Sequence, residues 1–313
     1  MKLKYAVIGT GGLGGYFGGK LAQHNKDVHF LFHSDYEFVK ENGLKIDSVK
    51  GNFVLHPVNA YKNTKDIGTV DVVLVCLKTS NNILLKELLP PLLHKNTLIL
   101  LMQNGLGNEE EVAQYFPENP IAGALAFICT SKVGPGHISH VDLCRLLMAP
   151  YADYDKDVLQ QVEQDFSESD VEIAMYADLA GIRWQKLIWN IPFNGMCVVL
   201  NTTTDRLMGN SATEKLCYDL MIEVIQAANA CGIQQPLSET LADDMLELTR
   251  NMTPYAPSMK LDYDFRRPME IQHMYSNPVK EALKNGYHMK KVEMLEQQLW
   301  FIENSLNLEK LIP

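Results

Sequence analysis

The chain reads as an α/β protein in two parts. An amino-terminal domain of alternating strands and helices covers residues 1–177, and an all-helical carboxyl-terminal domain covers 178–313. Three observations predict this. A strand–turn–helix pattern rich in glycine opens the chain. Near-continuous apolar runs at 70–77 and 97–102 read as parallel strands buried on both faces. After Asp178 the strand-like runs give way to helical patterns over 179–200, 211–231, 237–250 and 288–304. At 313 residues the chain also exceeds what one hydrophobic core usually supports.

The opening pattern is the most informative. Tyr5-Ala-Val-Ile8 is a short apolar run that breaks into Gly9-Thr10-Gly11-Gly12-Leu13-Gly14 and then into a helix. Gly9, Gly11 and Gly14 have the G-x-G-x-x-G spacing of a Rossmann-type dinucleotide site, and each lacks a side chain for its own mechanical reason. Gly9 allows the tight turn, Gly11 lets backbone approach a pyrophosphate, and Gly14 lets the helix lie against the strand. The helix begins with unpaired N–H groups and the positive end of its dipole. Glycines 15, 18 and 19 read as close packing only. Val28–Phe32 supplies the second strand. An acid at its end would bind a ribose 2′-hydroxyl, whereas a cationic or small polar group would admit a 2′-phosphate. His33-Ser34-Asp35 leaves both open, and Ser34 with Glu37 also fits a capping box for the next helix.

Residues 43–60 read as small strands broken by Gly51 and Pro57. The strand at 70–77 ends at Lys78, where ligands collect in open α/β sheets; a solvated lysine is the equal alternative. A helix ending at Pro90-Pro91 leads to the strand Thr97–Met102, closed by Gln103-Asn104-Gly105-Leu106-Gly107. The Asn104 amide suits a nicotinamide carboxamide or a substrate oxygen, although Asn-Gly is first of all a turn dipeptide. Residues 121–129, 136–140 and 143–148 read as further strands around a Gly-Pro-Gly turn, 158–166 as a helix, 171–176 as a last strand and 251–270 as irregular.

In the first helix of the second part, Lys186, Asn190 and Asn194 are four residues apart and share one face, drifting by about 40° per step. The stripe is either a solvated face or a polar surface set in an apolar helix flanked by Trp184 and Trp189, and buried polar groups need polar partners. Pro192 removes one N–H from the ladder within it.

Composition narrows the function. A net charge of −10 disfavours nucleic acid and anionic membranes as partners. The six cysteines (76, 129, 144, 197, 217 and 231) show no metal-ligand spacing and read as small hydrophobes in a reducing compartment. No metal is expected. No apolar run is long enough to span a membrane, and the expected location is cytoplasmic.

From end to end the chain resembles the ketopantoate reductase (2-dehydropantoate 2-reductase) family. The resemblance lies in Gly9-Thr-Gly-Gly-Leu-Gly14, Val75-Cys-Leu-Lys78, Gln103-Asn104-Gly105-Leu-Gly107, Trp184-Gln-Lys186-Leu with Asn190 and Asn194, and Pro257-Ser258-Met259 followed by Glu270. It implies NADPH-dependent reduction of 2-dehydropantoate to pantoate, toward pantothenate and coenzyme A. Lys186 would be the general acid, Asn190 and Asn194 would hold the substrate, Ser258 would meet its carboxylate and Glu270 its hydroxyl. Gly9, Thr10, Gly11, Gly12, Leu13, Gly14 and Lys78 would bind cofactor, and Asn104 would meet both cofactor and substrate. His33 stands where NADPH-using members commonly carry arginine, which keeps NAD open as the cofactor. Tyr255-Ala256 precedes Pro257 where asparagine is common. The alternatives are a reductase of the same build for another 2-oxo acid and a non-catalytic nucleotide-sensing protein. The oligomeric state is left open, a homodimer included.

Overall fold

The computed structural model describes residues 2–152 and 156–309. The chain divides into two compact units, Met1–Gln103 with Asn108–Leu179, and Asn104–Gly107 with Ala180–Pro313. In the first unit one sheet is built from β1 (Lys4–Ile8), β2 (Asp27–Leu31), β3 (Leu44–Ser48), β4 (Phe53–Leu55), β5 (Ala60–Tyr61), β6 (Val72–Val75), β7 (Leu98–Leu101), β8 (Ile121–Gly134), β9 (His137–Pro150) and β10 (Glu172–Met175). Its order is β4-β3-β9-β8-β7-β6-β1-β2-β5, with β10 also paired to β9. The run from β5 to β8 is parallel throughout. After β1 the chain lays β2 on one side and later returns to lay β6 on the other, so the end of β1 is the switch point of a Rossmann sheet.

The apolar runs explain the layers. Tyr5 and Val7 face one core, with Tyr16 and Phe17 of α1 (Gly12–Gln23) and Phe166 of a later helix (Asp157–Ser167). Ala6 and Ile8 face the other, with Leu85, Leu89 and Val112. A strand covered on both faces carries no polar alternation, and all four residues are fully buried. Two expectations need correction here. Residues 121–148 form not three strands but the long antiparallel pair β8–β9, whose register slips at Phe127/Ile128, Cys129/Thr130 and Lys132/Gly134. Such bulges interrupt the alternation that marks a strand in sequence. In addition, no helix runs up to Pro90; residues 79–92 are short 3-10 turns around a single α-turn, Leu85–Leu88.

The second unit is helical. It contains α2 (Leu179–Val199), α3 (Thr204–Met208), α4 (Ser211–Ala230), α5 (Thr240–Asn251), α6 (Ser258–Asp264), a π-helical turn (Gln272–Ser276), α7 (Asn277–Lys284) and α8 (Lys290–Glu309). Thus the stretch 251–270, expected to be irregular, contains α6. One core built on Trp184, Leu187, Ile188 and Ile191 of α2 takes in Met221, Val224, Tyr275, Leu295 and Leu299. The helix α2 continues through Pro192, and the Tyr275 hydroxyl donates to the Ile191 carbonyl at 2.9 Å.

At the β8–β9 irregularity, Leu143 lies in the left-handed region (φ 57°). The His140 ring holds it: Nδ1 accepts from the Ser48 hydroxyl at 2.8 Å and Nε2 donates to the Leu143 carbonyl at 2.5 Å, an arrangement that fixes the neutral tautomer. Burial pushes the His140 pKa below its ordinary value, against the opposing pull of the Leu143 and Asp142 carbonyls. The unfolded chain therefore takes up this proton first, and stability falls as pH drops from the unfolded value through the folded one. Urea titrations from about pH 7 to about pH 5 should show a steeper loss for the wild type than for His140→Gln. Parallel losses would contradict this account.

Candidate functional site

In the first unit the glycine turn is a backbone junction. Gly9 has φ 101°, and its carbonyl accepts from Gly11 N–H at 2.8 Å. A Cβ at Gly9 would lie 2.6 Å from Leu77 N, and one at Gly14 only 2.4 Å from the Gly9 oxygen. Each glycine is thus demanded by contact with neighbouring backbone. Gly11 differs, since a Cβ there would meet nothing within 4 Å. It borders the open side of the turn, from which a ligand's phosphates would approach. Gly15 and Gly18 fit the packing role expected of them: their Cβ atoms would run into Ile138 and Phe30 at 2.8 and 2.7 Å.

The helix α1 begins with Gly11 as its cap, without a side-chain cap bond and without an acidic residue in its first turn. Its first N–H groups and dipole are left to an anion. Residues Gly9 to Leu13 are all partly exposed, and the Thr10 hydroxyl ties the turn to the end of β2 by donating to the Leu31 carbonyl at 2.9 Å. Lys78 is partly exposed just past β6. Beside it the Gln103 amide donates to the Leu77 carbonyl at 2.8 Å and to Asn82 Oδ1 at 2.7 Å, joining the ends of β6 and β7. Burial raises the Cys76 thiol far above its ordinary pKa, which makes it a packing residue under the turn. These features fit the pyrophosphate of a dinucleotide.

The end of β2 departs from the capping-box expectation. The next helix, Tyr36–Asn42, starts from Asp35 with no side-chain cap bond, and the Ser34 hydroxyl donates to Asp35 Oδ1 at 3.1 Å. Asp35 Oδ2 instead accepts from Gly136 N–H at the β8–β9 turn, at 2.9 Å. His33 and Ser34 are exposed.

In the second unit the polar stripe of α2 is buried: Lys186 is 9% exposed, Asn190 3% and Asn194 2%. The solvated-face reading does not survive this. Asn190 donates to Asn104 Oδ1 at 3.4 Å. Asn194 donates to the Asn190 carbonyl at 3.1 Å, and its Oδ1 accepts from Met259 N–H at 2.9 Å, which fixes the first turn of α6. Ser258, partly exposed, opens that turn, and Glu270 is buried.

Asn104 lies three residues past the end of β7, yet its loop belongs to the helical unit. Gly105 is at φ 93° and its Cβ would lie 2.6 Å from the His273 carbonyl, so the Asn-Gly turn is real. Leu106 N–H donates to the same carbonyl at 2.8 Å, and the Asn277 amide donates to the Leu106 carbonyl at 2.7 Å. The buried Arg183 guanidinium donates to the Gly105 carbonyl at 2.8 Å. Sequence reasoning passed over Arg183, His273 and Asn277. The available signal for Arg183 was its position three residues before Lys186 in a helix of apolar character. Among the described residues there is no cluster of His, Cys, Asp and Glu suited to a metal, and no helix long and apolar enough to cross a membrane.

Comparison with known proteins gives a consistent picture. A family model described as ketopantoate reductase PanE/ApbA matches residues 5–153, and its C-terminal companion matches residues 178–303. A 2-dehydropantoate 2-reductase of Nostoc sp. is 43% identical over 305 residues, covering 96% of this chain and 95% of that one. The crystal structure of a 2-dehydropantoate 2-reductase from Geobacter metallireducens superposes with a TM-score of 0.92 at 38% identity, covering 95% of this chain and 99% of that one. Its counterpart from Methylococcus capsulatus gives 0.87 at 28%, covering 97% and 98%.

The glycine junction yields a direct test. Gly14→Ala forces its methyl into the Gly9 carbonyl and should weaken NADPH and NADH binding, followed by nicotinamide fluorescence, by roughly tenfold or more. Unchanged affinity would show that the turn is not the binding element.

Proposed function

Because the chain belongs to the ketopantoate reductase PanE/ApbA family, we propose that it reduces 2-dehydropantoate to pantoate with a hydride from NADPH, a step toward pantothenate and coenzyme A. The observation that carries this reading is Lys186, a lysine held almost wholly out of water in line with two buried amides on a helix of the family's matched C-terminal region. The dinucleotide supplies the hydride, while the protein binds, orients and protonates. Hydride addition to the keto carbon leaves negative charge on its oxygen. An ammonium at that oxygen stabilises the charge and delivers the proton, the role assigned to Lys186.

The remaining roles follow from the same reading. Asn190 and Asn194 hold the substrate, and Asn194 also fixes the turn that presents Ser258 to the substrate carboxylate. Glu270 accepts from the substrate hydroxyl. Asn104, joined to Asn190, serves both substrate and nicotinamide. The turn from Gly9 through Thr10, Gly11, Gly12 and Leu13 to Gly14 takes the pyrophosphate, with Lys78 nearby in the same unit.

Purified protein given NADPH and 2-dehydropantoate should consume the reduced-nicotinamide absorbance, and Lys186→Ala should lower kcat by about 10²–10⁴-fold. A panel of other 2-oxo acids run in parallel identifies the preferred substrate. Absence of turnover by the wild type with either dinucleotide on 2-dehydropantoate would refute the assignment.

A further inference from the structure

The end of β2 decides how a Rossmann site treats the ribose 2′ position, because a carboxylate there accepts from a 2′-hydroxyl and repels a 2′-phosphate. This chain has an acid four residues past the end of β2, Asp35, but the structure engages it elsewhere. The Asp35 side chain is 8% exposed and lies 2.5 Å from the Lys132 ammonium. With Gly136 N–H on Oδ2 and the Ser34 hydroxyl on Oδ1, both carboxylate oxygens are occupied. Burial would raise the Asp35 pKa, but Lys132, Gly136 and Ser34 outweigh it and hold the group charged below the usual carboxylate range.

The turn that captures Asp35 is itself firmly seated. Gly136 has φ 56°, and a Cβ on it would lie 2.8 Å from Val39 and 3.1 Å from the Gly43 carbonyl. Its own carbonyl accepts from Lys45 N–H at 2.8 Å. At the other end of the same segment, a Cβ on Gly12 would lie 3.0 Å from Ser131 Cα, and Lys132 is the next residue. Residues 131–136 thus run from the start of α1 to the end of β2, the two places that meet the pyrophosphate and the adenosine ribose in this fold.

We propose that Lys132 and the β8–β9 turn set the cofactor preference: by holding Asp35 in a neutral pair they withdraw a carboxylate that would select NADH, and leave the exposed His33 to face the 2′-phosphate of NADPH. Lys132 is on this account a positioning residue: through Asp35 it removes a repulsion, whereas an arginine at the end of β2 attracts the phosphate by direct contact. The inference rests on the reading that the glycine turn binds a nicotinamide dinucleotide.

The test is a pair of fluorescence titrations, NADPH and NADH, on the wild type, Lys132→Met, Asp35→Asn and the double variant. The wild type should favour NADPH. Lys132→Met leaves the Asp35 carboxylate without its neutralising cation and should weaken NADPH about tenfold or more, while NADH holds or tightens. The double variant should regain most of the NADPH affinity, since no charge remains to be masked. Asp35→Asn alone, which leaves no buried anion unpaired and tests the point even if Lys132→Met does not fold, should leave NADH binding unchanged. An unchanged NADPH-to-NADH ratio in Lys132→Met, a double variant as weak as Lys132→Met, or selective loss of NADH in Asp35→Asn would each overturn the proposal. Turnover does not enter these titrations, so a protein that binds dinucleotide but reduces no 2-oxo acid would refute the proposed function and still leave this ratio to be judged on its own.

Discussion

The first unit depends on a place where no side chain fits. At the end of β1 the backbone of Gly9 lies against the backbone of Cys76 and Leu77, and α1 presses close enough that position 14 has room for hydrogen alone. Three elements therefore converge within van der Waals contact at the point where the sheet changes direction. Convergence brings uncapped helix N–H groups to the surface of the turn, and the dipole behind them favours an anion. Packing and the proposed ligand binding here have one cause.

The helical unit obeys a different constraint. Its central helix, α2, is apolar over most of its circumference yet carries Arg183, Lys186, Asn190 and Asn194 in buried positions. Buried polar groups are costly unless hydrogen-bonded, and the helix meets that requirement by gathering backbone around itself. Arg183 takes the Gly105 carbonyl, Asn190 the Asn104 amide, and Asn194 the first turn of α6. The residues proposed to touch substrate are thus assembled by the same bonds that stabilise the unit.

Much of this was legible in sequence because it rests on local patterns. The spacing of Gly9, Gly11 and Gly14, the apolar strands β1, β6 and β7, and the long helix bearing Lys186 follow from periodicity and turn chemistry. Other features depend on contacts far apart in the chain. Nothing near Asp35 indicates that Gly136, a hundred and one residues away, will take its carboxylate in place of a ribose or a helix cap. The β8–β9 pair hid behind its bulges, and α6 behind a stretch rich in charge and aromatic residues with no clean period. The membership of Asn104–Gly107 in the helical unit follows from bonds to residues 183, 190, 273 and 277. A pattern search reads neighbours, and these were not neighbours.

The central claim is that this chain moves a hydride from a nicotinamide ring to a keto carbon and a proton to its oxygen. Mass spectrometry of the product formed from 2-dehydropantoate with cofactor deuterated at the transferring position of the nicotinamide tests that claim most directly. The account predicts a hydroxy acid with a single deuterium at the former keto carbon, and no such label when ordinary cofactor is used in deuterated water. An unlabelled product, or a label acquired at that carbon from solvent, would contradict it.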